Sequence, residues 1–196
     1  MGTRSKRSER CSQCRLHIRL CICSAIPRHD LATRLILVMH RREWQKPTAT
    51  GPLALAVLVN SELRIQGNRE DPLDFSDLDT PARRTLLLYP GEGVPVLSRA
   101  FLSGDPRPVN LVVADGSWRQ ASRMGRRLPG LEHAAMVRLP EGAMTAWGVR
   151  KESHPEGLAT FEAIARALGI LESVEVQESM AELFTLMVAR TLLTRG

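Results

Sequence analysis

Three apolar runs of strand length each stop at a polar or turn-forming residue: LILVM (35–39) before His40, TLLLYP (85–90) at Pro90-Gly91, and VNLVVAD (109–115) at its own Asp115. Runs that are apolar at every position suit strands covered on both faces, the environment inside a parallel sheet. Elsewhere the period lengthens. TGPLALAVLV (50–59) reads as a helix with Pro52 in its first turn, where the missing N–H is harmless. Phe161, Ile164, Ala165 and Leu168, then Met180, Leu183, Phe184, Met187 and Val188, recur at helical spacing, as the core stripes of two C-terminal helices do. SWRQASRMGRRL (117–128) is helical in pattern with Ser117 as its cap, and AAMVRL (134–139) is a candidate fourth strand. Residues 66–83 are polar and turn-rich, a long loop with room for one short helical turn. Strands alternating with helices define an α/β domain with a largely parallel sheet flanked by helices.

A chain of 196 residues can build one such domain with a full core, together with a small appendage. No apolar run reaches the length of a membrane span. The start, MGTRSKRSERC, is basic with no apolar stretch behind it, unlike a secretory leader, and Lys6 breaks the myristoylation pattern. The expected address is cytoplasmic.

All four cysteines, Cys11, Cys14, Cys21 and Cys23, fall within thirteen residues in a CxxC…CxC arrangement. In a reducing compartment such a cluster binds metal more readily than it forms disulfides. Four thiolates complete a tetrahedral Zn²⁺ site with no open position, which makes the site structural. A segment this short and polar has no core of its own, so the metal would supply its folding energy. The expected organisation is a four-cysteine zinc-binding segment over 1–30 and a larger α/β domain over 31–196. Arg15, Arg19 and Arg28 surround the cluster and would present charge to a partner. Redox or iron–sulfur chemistry is the competing use of the four thiols.

The net charge of +6 is unevenly placed. Residues 1–30 carry seven Lys/Arg against two Asp/Glu, and residues 116–138 carry five Arg against Glu132. Residues 152–182 carry seven Glu against Arg166. Two basic islands on a neutral body point to a polyanion that docks in a defined place, and so to RNA contact. Arg119, Arg123, Arg126 and Arg127 recur at helical spacing and could track a phosphate backbone; Arg41, Arg42 and Lys46 could line the same entrance.

In parallel sheets ligands bind beyond the carboxyl ends of the strands. His40, Tyr89-Pro90-Gly91 and Asp115 all stand there, so VVADGSW (112–118) borders an expected pocket. Asp115 is either a cap for the following turn or a carboxylate that burial makes basic. Trp118 either stacks on a base or packs in the core. His40 and Glu43 could orient a ligand.

The CxxC…CxC cluster followed by Pro27, HRREWQKPTATG (40–51), LLYPGE (87–92), DGSW (115–118) and GLATFEA (157–163) occur in that order. In this arrangement the chain resembles the DTW-domain family, over nearly its whole length. Ser117 stands where the family usually has Thr, keeping the hydroxyl, and Ala49 stands where it usually has Asn. The resemblance implies a SPOUT-like α/β fold with a C-terminal trefoil knot that binds S-adenosylmethionine. It also implies transfer of the 3-amino-3-carboxypropyl group of that cofactor to the ring imide nitrogen of a tRNA uridine. Asp115 would be the base, with Ser117 and Trp118 beside it. The adenosine would lie along Leu88, Tyr89, Pro90 and Gly91 and along Leu158, Ala159 and Thr160, with Gly91 and Gly157 allowing close approach. Glu162 would accept from the ribose or the ammonium, or else serve as ordinary first-turn helix charge. Two rivals share most of these features: a SPOUT-type RNA methyltransferase, and a zinc-stabilised RNA-binding factor without catalysis.

Overall fold

The computed structural model describes residues 9–67, 70, 72–116, 128, 130–142, 145 and 158–193. Its centre is a five-stranded sheet of β1 (Arg34–His40), β2 (Ser61–Gln66), β3 (Arg84–Leu88), β4 (Val109–Asp115) and β5 (Ala135–Val137). The spatial order is β2-β1-β4-β3-β5 and every pairing is parallel. Helices α1 (Arg41–Trp44), α2 (Gly51–Val57), α3 (Arg99–Ser103), α4 (Thr160–Leu171) and α5 (Val174–Leu192), with three short 3-10 turns at Ile18–Leu20, Cys23–Ala25 and Ser76–Leu78, complete the described elements.

The apolar runs form β1, β3 and β4 because both faces of these strands are covered. Successive side chains of a strand point to opposite faces. Leu35, Leu37, Met39, Leu86, Leu88, Leu111 and Val113 face a core shared with α2, α4 and α5. Ile36, Val38, Leu87 and Val112 face a second cluster with Phe75, Leu78, Leu128 and Leu131. A strand with a single wet face would have alternated.

Both C-terminal helices form on the expected stripes. Phe161 of α4 stacks on Phe184 of α5, with ring centroids 5.6 Å apart. Glu172, at the turn between them, accepts from Thr33 N at 2.6 Å and ties the pair to the entry of β1. Pro52 sits at the start of α2 as its fixed φ prefers. The described residues of the 66–83 region include one helical turn, Ser76–Leu78. AAMVRL contributes β5 over Ala135–Val137.

Three elements were not anticipated: the single-turn helix α1, the strand β2 and the short helix α3. β2 (SELRIQ) carries Glu62 and Arg64 and is half-buried throughout, as an edge strand can be. Its charges pair with Arg34 and Asp77: Arg34 Nη2 meets Asp77 Oδ2 at 3.0 Å and Arg64 Nη2 meets it at 2.8 Å. Helix α3 is a single short helix capped by Ser98, whose Oγ accepts from Phe101 N at 3.1 Å.

The cysteine segment packs on the main core through Cys14, Leu16 and Ile22. No helix among the described residues is long and apolar enough to cross a membrane. The expected helix over 117–128 lies outside the described residues apart from Leu128, and the expected knot depends on residues of 143–157 that also lie outside them.

Candidate active site

β1 and β4 are neighbours, with Met39 opposite Asp115. From β1 the chain leaves toward the β2 edge; from β4 it leaves toward β5, past β3. The two connections diverge at this boundary, which makes it the topological switch point where open parallel sheets bind ligands. Asp115, the last residue of β4, stands at that boundary and is only 5 % exposed.

Three elements fix that carboxylate. Thr160 Oγ1, at the start of α4, donates to Asp115 Oδ1 at 2.8 Å. This sets the positive end of a twelve-residue helix against a negative charge, a favourable arrangement. Gly51, the first residue of α2, lies so close that a Cβ there would stand 2.5 Å from Asp115 Oδ2. Thr50, just before it, accepts from Phe161 N at 3.3 Å and joins the starts of α2 and α4. Asp115 is thus held by the starts of α2 and α4; the turn it could cap lies outside the described residues from Ser117 on.

The third element is Arg15, from the cysteine segment. Its guanidinium carbon lies 3.9 Å from the centroid of the Trp44 ring in α1, a cation–π contact. Burial pushes its pKa down, and the Asp115 charge pulls it part of the way back. Arg15 is therefore turned inward to the site, while Arg19 and Arg28 are exposed as expected.

The adenosine candidates occupy the same carboxyl edge. Leu88 pairs in register with Val113, and Tyr89 N donates to Val137 O at 2.8 Å. Leu88, Tyr89 and Ala159 are buried, Gly91, Leu158 and Thr160 half-buried, and Pro90 exposed. A Cβ at Gly91 would come 2.5 Å from Tyr89 Cε1, so glycine lets the backbone fold over that ring. Glu162 accepts from Ala159 N at 3.2 Å and from the Thr145 hydroxyl, as the acidic half of a capping box does.

Arg41 and Arg42 are exposed on α1, while Lys46 pairs with the buried Glu43. His40 Nδ1 accepts from Arg42 N at 3.2 Å and caps α1. Ala49 is buried in the core. Ser117, Trp118, Arg119, Arg123, Arg126, Arg127 and Gly157 lie outside the described residues.

The four cysteine sulfurs all lie within 4.8 Å of one another and could hold a metal ion. Cys11 Sγ is 3.4 Å from Cys23 Sγ, and Cys14 Sγ is 3.7 Å from Cys21 Sγ. Tetrahedral ligands at the usual Zn–S length of about 2.3 Å would stand about 3.8 Å apart. Backbone N–H groups of Cys14 and Gln13 pull the Cys11 thiol down to about 6, so it can serve as a thiolate ligand. His17 Nδ1 accepts from Arg19 N and is occupied as a cap.

Fold and site together define an α/β domain with a buried carboxylate at the carboxyl end of a parallel sheet. The chain belongs to the DTW domain family, whose model matches residues 8–192. It is similar to tRNA-uridine aminocarboxypropyltransferase 2 of Macaca fascicularis, at 30% identity over 182 residues, covering 90% of this chain and 61% of that protein. The protein of the same name from Mus musculus is 27% identical over 182 residues, with the same coverage. That from Drosophila melanogaster is 26% identical over 176 residues, covering 85% of this chain and 68% of its own length. The chain thus spans about three fifths of the length of the two mammalian relatives. Among solved structures it resembles the SAM-dependent rRNA:acp-transferase Tsr3 of Vulcanisaeta distributa, with a TM-score of 0.51 and 17% identity. That likeness covers 83% of this chain and 79% of the other, and it shows a shared fold.

Proposed function

We propose that this chain moves the 3-amino-3-carboxypropyl group of S-adenosylmethionine onto the ring imide nitrogen of a uridine in tRNA. The observation that carries this reading is the buried Asp115 at the switch point, fixed by Thr160, in a chain whose relatives bear the name of that activity.

A uridine imide nitrogen is a poor nucleophile until its proton is drawn away. Asp115 is the acceptor for that proton. Thr160 occupies Oδ1, so the carboxylate cannot rotate freely, and orientation of this kind removes an entropic part of the barrier. When bound, S-adenosylmethionine supplies a carbon beside a sulfonium: the nitrogen bonds to it, the C–S electrons stay on sulfur, and neutral methylthioadenosine leaves. The backbones of Leu88–Gly91 and Leu158–Thr160 hold the adenosine, with Glu162 beside them at the start of α4. Ser117 and Trp118 complete the site around Asp115. Arg41, Arg42 and Lys46 contact the RNA backbone together with Arg119, Arg123, Arg126 and Arg127. The four cysteines hold a structural zinc that stabilises the segment carrying Arg15.

The test is incubation of the purified protein with unmodified tRNA and S-adenosylmethionine, followed by mass analysis of the nucleosides. The expected result is a uridine that has gained the whole aminocarboxypropyl group, with methylthioadenosine as by-product. Asp115→Asn should bind tRNA as the wild type does and lose turnover. A methyl gain would replace the reading with methyl transfer. Binding of several tRNA species without any mass gain would replace it with a non-catalytic RNA-binding role.

A further inference from the structure

We propose that Arg15 binds the carboxylate of the donor's amino-acid arm, and so determines which carbon of the sulfonium faces Asp115. The inference rests on the reading of the donor as S-adenosylmethionine.

The backbone gives the first argument. Arg15 has φ 63°, the only non-glycine residue with positive φ among the described residues. It closes the turn after CxxC: Arg15 N donates to Cys11 O at 3.0 Å and Cys11 N to Leu16 O at 2.8 Å. Glycine would take this conformation without strain. A long, branched-headed side chain in a position that suits glycine points to a use for the side chain.

The side chain gives the second argument. The guanidinium lies over Trp44, and its Nη1 is buried with no hydrogen-bond acceptor among the described residues. Buried donors are normally satisfied, so an unmet one close enough to Asp115 to feel its charge points to a ligand that carries an acceptor. A guanidinium is a planar fork of donors and matches a carboxylate two bonds at a time.

Location supplies the third. Trp44 belongs to α1, which continues directly from the carboxyl end of β1, and β1 is in register with Asp115. The donor's arm ends in a carboxylate that is only two carbons away from the reacting γ-carbon. Anchoring that carboxylate at Arg15 brings the γ-carbon, rather than the methyl group, toward the nitrogen whose proton Asp115 accepts. Of the other cations near this edge, Arg41 and Arg42 point to solvent and Lys46 is paired with Glu43. Exposed cations suit phosphates; a half-buried one beside a carboxylate suits a small zwitterion.

The test compares two ligands by isothermal titration calorimetry on the metal-loaded full chain. One is S-adenosylmethionine; the other is 5′-methylthioadenosine, the same nucleoside without the arm. In Arg15→Gln, affinity for S-adenosylmethionine should fall on the order of tenfold to a hundredfold, as for loss of a charge-assisted contact. Affinity for methylthioadenosine should stay within about twofold, because the lost contact is made only to the arm. Arg15→Gly relaxes the turn and should show the same selective loss while circular dichroism and Tm confirm the fold. Arg15→Lys should recover part of it. Equal loss for both nucleosides would make Arg15 a structural residue, and no loss for either would remove it from the site; both overturn the inference. Loss of tRNA affinity with donor affinity unchanged would make it a phosphate contact and also overturn it. If the wild type binds neither nucleoside, the donor reading itself falls and the inference falls with it. That outcome is distinct because it appears before any variant is made.

Discussion

Gly51 offers a sharp test of how Asp115 is held. Its φ lies outside the left-handed region, so the backbone would accept alanine. At an accommodating helical position Gly→Ala ordinarily stabilises by about 0.4–1 kcal/mol. Here the new methyl would stand 2.5 Å from Asp115 Oδ2, and 3.2 Å from both Asp115 Cγ and Leu37 Cδ2. β4 is paired on both sides and cannot shift to make room. The carboxylate must swing away and give up its hydrogen bond from Thr160. A hydrogen bond to a charged group contributes about 1.5–3 kcal/mol, so the net effect of Gly51→Ala should be a loss of about 1–2 kcal/mol. At roughly 2–4 °C per kcal/mol for a chain of this size, Tm should drop by about 2–8 °C. With Asp115→Ala already in place the clash partner is gone, and Gly51→Ala should become neutral or stabilising. Thermal and urea unfolding of the four proteins, followed by circular dichroism, closes the double-mutant cycle, with an expected coupling of about 1–3 kcal/mol. An additive cycle, or a Gly51→Ala protein more stable than wild type, would refute the packing argument.

Other outcomes follow from the same structure. Gly91→Ala should displace the Tyr89 ring, against which its methyl would clash, and weaken binding of methylthioadenosine as much as of S-adenosylmethionine in calorimetry. With the proposed zinc loaded at the four cysteines, a chelator should lower Tm by about 4–8 °C, equivalent to about 2 kcal/mol, and weaken S-adenosylmethionine binding in parallel, because the same segment carries Arg15. For acid stability, burial raises the Asp77 carboxyl, but hydrogen bonds and charge from Arg64 and Arg34 outweigh it and hold the group below its ordinary value of 3.8. A folded pKa below the unfolded one stabilises at pH above 3.8, and that contribution is lost as pH falls through the folded value. The Tm gap between wild type and Asp77→Asn should therefore be present near neutral pH and vanish in strong acid.

The central strands were legible because burial on both faces leaves an uninterrupted apolar run, and Asp115 stood out as a charge at the end of one. β2 was not legible: an edge strand tolerates Glu62 and Arg64 when Arg34 and Asp77 pair with them, and those partners are distant in sequence. The cysteine cluster could be read from spacing, but the direction of Arg15 could not. A charge beside a cysteine cluster looks like a surface charge until the left-handed turn that aims it is known, and its counterpart Asp115 lies a hundred residues away. Trp44 carried no pattern of its own, and its use became clear only with the guanidinium stacked on it.

The order β2-β1-β4-β3-β5 also has a consequence during synthesis. β1 and β3 leave the ribosome before β4 and cannot pair with each other in the final sheet, because β4 fills the gap between them. Until Val109–Asp115 emerges, the nascent chain carries two apolar strands with open edges, which is the condition in which nascent chains recruit chaperones or aggregate. The strand that closes those edges is the one that bears Asp115. Joining of β1 to β3 and arrival of the buried carboxylate are therefore a single event, only β5 remains to be added, and a chain stalled before β4 has neither.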